Sequence, residues 1–87
     1  MKLKDGFVMR TIAGKIIVLP SGDSLDLNKM ITLNETGKFI WERLDKETTE
    51  ENIVNEILAV YDVSYEHAAT CVTEFIGKLR SYDFLEE

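Results

Sequence analysis

The chain has one cysteine, one proline and one histidine among 87 residues. A single cysteine closes no internal disulfide, so the fold has to stand on its hydrophobic core. No apolar run approaches the ~18 residues that a membrane-spanning helix needs. Residues 1–10 contain no continuous apolar stretch of the secretory kind. The expectation is a protein of the reducing cytoplasm with no membrane partner. Basic charge is also short, with 10 Lys+Arg against 16 Asp+Glu and a net charge of −6. Backbone-driven nucleic-acid affinity needs a basic face, so nucleic acid is a poor partner.

The inventory for chemistry is equally thin. No GxGxxG, P-loop or GxSxG motif is present. His67 and Cys71 stand four apart, on neighbouring turns if the segment is helical. Two such ligands can begin a metal site, but no other His or Cys exists to complete one rich in nitrogen or sulfur. No catalytic residue, metal or cofactor is expected. What remains is globular composition, 45% hydrophobic and 30% charged, enough for one small domain over residues 1–87.

The pattern changes near Asn34. Phe7 to Ile12 and Lys15 to Leu19 are rich in Val, Ile, Phe and Met, with Ala13-Gly14 between them. This predicts a hairpin in which Gly14 supplies a positive φ. Leu25 to Leu33 alternates: Leu25, Leu27, Ile31 and Leu33 share one face, with Lys29 as the exception. Met30 falls on the other face, and the alternation predicts a third strand. Asn34 is suited to cap a first helix whose inner stripe is Gly37, Ile40, Trp41 and Leu44, with Phe39 beside it. Thr48 and Glu51 have capping-box spacing for a second helix carrying Ile53, Val54, Ile57, Leu58 and Tyr61. Phe39, Trp41 and Tyr61 are expected in the core.

Ser64 is suited to cap a third helix running to about Ser81. Its apolar set spans Tyr65, Ala68, Ala69, Cys71, Val72, Phe75, Ile76 and Leu79, an arc of roughly 160°. One core needs an arc of only ~100° or a little more. The excess predicts that part of this helix faces a groove. Phe84 and Leu85 follow as a short apolar tail suited to a strand or docked turn. The expected fold is α+β and winged-helix-like: a three-stranded antiparallel N-terminal sheet followed by three α-helices.

Leu33-Asn34-Glu35-Thr36-Gly37, followed by Ile40-Trp41-Glu42 and Leu44-Asp45, resembles the LN-x-T/S…IWE-x-LD signature of the PqqD-like family. The spacing of Ile53-Val54, Leu58, Tyr61-Asp62-Val63, Val72, Phe75-Ile76, Leu79 and Leu85 fits as well. Lys46 and Asp83 stand where the family often has glycine; both positions concern turns. The resemblance implies a peptide-binding module without catalysis. Such a module binds the leader segment of a ribosomal precursor peptide and presents it to a modifying enzyme, often a radical SAM protein. In the family the leader adds as a strand to the third strand, in a groove bordered by the third helix.

On that basis the backbone of Asn28, Lys29, Met30, Ile31 and Thr32 is expected to pair with the leader. Ala69, Val72 and Ile76 are expected to wall its pocket, and Lys29 and Arg80 to meet leader carboxylates. Each has a plainer reading: Val72 as core, Arg80 as a solvated charge at a helix end, Lys29 as a gatekeeper against edge aggregation. An unpaired edge also leaves open a weak or swapped homodimer. The alternative reading is a winged-helix DNA-binding regulator, with the hairpin as a wing. In its favour, residues 1–20 carry four basic groups and one acidic. Against it, the polar face of the third helix balances Glu66 and Glu74 with Lys78 and Arg80. A third reading is an accessory subunit docking a folded enzyme through the acidic first and second helices.

Overall fold

The computed structural model describes residues 1–20 and 30–87. Strands β1 (Lys2–Leu3), β2 (Phe7–Ile12), β3 (Lys15–Pro20) and β4 (Ile31–Leu33) come first. Helices α1 (Glu35–Arg43), α2 (Glu50–Val60) and α3 (Tyr65–Ser81) follow, and β5 (Leu85–Glu86) closes the order. The expected hairpin is β2–β3, in antiparallel register from Phe7 opposite Pro20 to Ile12 opposite Lys15. Its two-residue turn has φ 52° at Ala13 and 79° at Gly14. Positive φ at both positions matches the strand twist. Gly14 adopts it freely, whereas Ala13 carries a Cβ into the left-handed region.

β4 pairs antiparallel with β3, Val18 opposite Ile31 and Ile16 opposite Leu33. The sheet order is β2-β3-β4, so β4 is an edge. Of the third strand expected from Leu25, residues 25–29 lie outside the described residues. Met30 precedes the paired segment and is 45% exposed. Cross-strand partners share a face, which sets Met9, Ile16, Val18, Ile31 and Leu33 inward. Thr32 points outward with its partner Ile17.

The helices cover the inner face. The Asn34 side chain caps α1 by accepting from Gly37 N at 2.7 Å. Ser64 caps α3 in the same way through His67 N. The second helix is capped one residue later than its spacing suggested. Thr49, not Thr48, accepts from Asn52 N, while Thr48 N donates to Met1 O beside β1. Val18, Ile40, Leu44, Ile53, Val72, Ile76, Leu79 and Phe84 are fully buried where sheet and helices meet. Phe39 and Trp41 are buried as expected, but Tyr61 is not. Its ring sits at the rim, edge-on to Phe39 at 5.5 Å.

The apolar tail becomes a clasp. β5 pairs with β1, and Lys4 N donates to Phe84 O. Asp83 turns the chain with φ 62°. The Phe84 ring then lies 4.3 Å from that of Phe7 and 6.1 Å from that of Trp41, centroid to centroid. One side chain thus joins hairpin, α1 and C-terminus. Phe84→Ala is expected to cost about 3–5 kcal/mol in urea unfolding. Ala13→Asn, which suits the left-handed turn position, is expected to add about 0.5–1 kcal/mol. No gain in midpoint would show that the turn is relaxed without it.

Candidate functional site

The edge of β4, without a partner strand among the described residues, borders a groove whose opposite wall is α3. Thr32, Leu33 and Asn34 line its first part together with Phe75 and Lys78. It deepens past Asn34 into a cleft of about 460 Å³ between the α1 N-terminus and α3. Thr36, Gly37 and Ile40 lie on one side there, and His67, Cys71, Glu74 and Phe75 on the other.

Gly37 sets how closely the two walls approach. A Cβ on it would lie 3.2 Å from Phe75 Cε1 and 3.2 Å from Asn34 Oδ1. The absence of a side chain lets the half-buried Phe75 ring rest against the first turn of α1. Asn34 serves both layers, ending β4 and capping α1. The walls are mixed in character. Ile40, Cys71 and Phe75 are apolar, and Cys71 Sγ lies 3.7 Å from His67 Nε2. Glu74 and Lys78 set charges of opposite sign on successive turns of α3.

The residues expected from the sequence fall in several places. Met30 and Thr32 are exposed at the edge, and the Ile31 side chain is in the core, leaving only its backbone for pairing. Asn28 and Lys29 lie outside the described residues. Val72 and Ile76 do not wall the groove: both are 0% exposed and belong to the core. Ala69 is half-buried in a separate shallow hollow with Thr70, Thr73 and Glu74. Arg80 is turned to the chain end. Its Nε donates to Glu87 Oε2 at 2.9 Å and its Nη2 to Oε1 at 2.6 Å. The fork raises the Arg80 pKa and, by the same hydrogen bonding, lowers that of Glu87. Its support is therefore present above the ordinary Glu range and lost as pH falls through the lowered value.

The displacement on α3 has a simple geometry. Ala68, Val72, Ile76 and Leu79 form the core stripe, while His67, Cys71, Phe75 and Lys78 form the groove stripe one residue behind it. One residue is ~100° of helix, enough to turn a side chain from core to groove. The signal was the excess width of the apolar arc, to which Cys71 and Phe75 contribute.

Among the described residues no group of three or more His, Cys, Asp or Glu could hold a metal ion. No helix among them is long and apolar enough to cross a membrane. The sequence profile of the family described as coenzyme PQQ synthesis protein D (PqqD) matches residues 15–85. No curated protein matches the sequence. Among solved structures, TbiB1 in complex with the TbiA(beta) leader peptide superposes with a TM-score of 0.76 at 27% identity. The match covers 99% of this chain and 95% of that one. A lasso peptide synthetase B1 complexed with the leader peptide has the same fold, with a TM-score of 0.74 at 16% identity. That match covers 99% of this chain and 96% of the other.

Gly37→Ala tests the contact between the walls. The helix-propensity gain and the push on Phe75 oppose each other, so stability is expected to change by less than about 1 kcal/mol. The Phe75 ring resonances are expected to shift clearly in NMR spectra. An unchanged ring would mean that Gly37 does not set the groove width.

Proposed function

The chain belongs to the coenzyme PQQ synthesis protein D (PqqD) family, and from that premise we propose that it is a peptide-binding module without catalysis. It takes up the leader segment of a ribosomal precursor peptide as a strand on β4 and presents it to a modifying enzyme, of the radical SAM class by family resemblance. The observation that carries this reading is the edge of β4, which has no partner strand among the described residues and faces the α3 groove. The leader-bound TbiB1 structure, similar over nearly all of both chains, supports it.

Strand addition exchanges hydrogen bonds with water for hydrogen bonds with the peptide, and each nets only about 0.5–1.5 kcal/mol. The described part of β4 is three residues long. So short an edge offers few such bonds, and ordering a flexible leader opposes them. Side chains entering the cleft over Ile40, Cys71 and Phe75 must supply much of the affinity. Ala69 and Arg80 stand outside that cleft, and in this reading neither touches the leader. The DNA alternative fares poorly on α3. Its exposed face sets Glu66 and Glu74 against Lys78, and Arg80 is engaged by Glu87.

A leader encoded by a neighbouring precursor gene is expected to bind at micromolar affinity or better. It should shift the amide signals of Met30 to Asn34 in a titration. It should also slow alkylation of Cys71 by iodoacetamide, because the thiol lines the occupied cleft. Met30→Pro, just ahead of the β3-paired segment, is expected to weaken binding at least tenfold with the fold retained. Unchanged amides together with full Cys71 reactivity at saturating leader would sink the proposal.

A further inference from the structure

An added strand has a register problem. Its side chains alternate, so a slip of two residues along β4 restores every face and keeps the backbone bonds in phase. The edge alone does not distinguish such registers. The groove wall contains a feature of matching length. Glu74 and Lys78 are one helical turn apart, about 6 Å along α3. Two residues of an extended strand cover about 6.6 Å. α3 lines the groove from His67 to Lys78, so a peptide that fills the groove passes both charges.

The charges differ in sign, and neither is spoken for. Among the described residues, the ammonium of Lys78 and the carboxylate of Glu74 have no ion-pair or hydrogen-bond partner, although they are spaced i, i+4. Among the described residues Arg10, Lys15, Lys38 and Lys46 also lack an ion pair, whereas Lys2, Lys4, Arg43 and Arg80 have one; what sets Lys78 apart is its place in the groove. Lys78 also stands where Thr32 and Leu33 border the groove, beside the edge itself. The net charge of −6 does not cancel a local attraction, because charges more than about 8–10 Å away are largely screened at physiological salt.

We propose that Lys78 and Glu74 form a register lock: the groove selects a peptide strand with a carboxylate opposite Lys78 and an uncharged, apolar side chain two residues on, over Cys71 and Phe75. This rests on the strand-binding reading above and adds the chemistry of the ligand. In the correct register the carboxylate meets the ammonium. After a slip of two residues in one direction it meets Glu74, and attraction becomes repulsion. In the other direction it leaves the groove stripe of α3, and its apolar partner is set against Lys78. The pair thus makes one register favourable and its neighbours unfavourable, by repulsion as much as by attraction.

The probe is a phage-displayed library of random dodecapeptides, selected on the wild-type chain and on Lys78→Glu. Wild type is expected to enrich Asp or Glu two residues from an apolar position. Lys78→Glu should enrich Lys or Arg at the charged position and keep the apolar one. A fluorescent peptide selected on wild type should lose about tenfold in affinity for Lys78→Glu and less for Lys78→Gln. The charge-reversed peptide should restore binding to Lys78→Glu. Both variants are at an exposed position, and circular dichroism checks their fold.

Register is read by cross-linking to Cys71, the only cysteine in the chain. Selected peptides carrying one thiopyridyl-activated cysteine at successive positions should couple at one position in wild type. In the double variant Glu74→Lys/Lys78→Glu that position should move by two residues. Enriched peptides with no acidic position, or a cross-link that stays in place, overturn the register lock and leave strand binding intact. Failure of wild type to enrich any peptide, with Cys71 alkylation unchanged by the leader encoded by a neighbouring precursor gene, overturns both.

Discussion

The contact on which the groove depends is the approach of α3 to the first turn of α1 at Gly37. β4 runs into α1 through one residue, Asn34, whose side chain caps the helix it begins. That junction leaves no slack between sheet and helices. Phe75 then rests where any side chain at position 37 would press on it. Because Asn34 and Gly37 hold both β4 and α1, the ring that touches them also fixes how far α3 stands from the strand edge. A wider separation would expose the ring and leave an edge without a wall. A narrower one would close the edge to any incoming strand.

α3 can serve core and groove together because its two stripes are neighbours. Val72 and Ile76 lock the helix into the core, while Cys71 and Phe75 turn toward the cleft. The consequence is a rigid wall: the residues that shape the groove cannot shift without moving fully buried neighbours. A preformed wall lowers the ordering cost on the protein side, so the entropic penalty of binding falls mainly on the peptide. Phe84 plays the matching part at the opposite end. It holds the hairpin against α1, and through the hairpin the strand next to β4.

Much of this was legible in the sequence because local rules and burial agree. The Ala13-Gly14 turn, the Asn34 and Ser64 caps and the stripe of α1 each follow from one or two residues in a fixed spacing. The groove was legible only as a surplus. An apolar arc wider than one core requires says that a second surface exists, but not which edge of the arc it occupies. Val72 and Cys71 are both small and apolar and differ by one position. Which of them faces the core is decided by how α3 packs on α2 and α1, a tertiary property. Arg80 shows the same limit in its charge. A cation in the last turn of a helix looks available until the chain returns and places Glu87 beside it. The cap of α2 moved because Thr48 bonds to Met1, a partner 47 residues away in sequence.

The scarcity of reactive groups has a physical counterpart in the way the groove can discriminate. In the strand-binding reading, selection comes from differences in binding alone. Backbone pairing along β4 is nearly blind to sequence, because every residue except proline offers the same donor and acceptor. Apolar burial over Phe75 and Cys71 distinguishes size and polarity, but a flexible chain can bring several of its apolar residues to one place. Charges fixed on successive turns of a rigid helix add what these two lack, a dependence on position along the strand. An acidic protein can present that pattern economically, since the Lys78 ammonium beside the β4 edge stands out against a surface of the opposite sign.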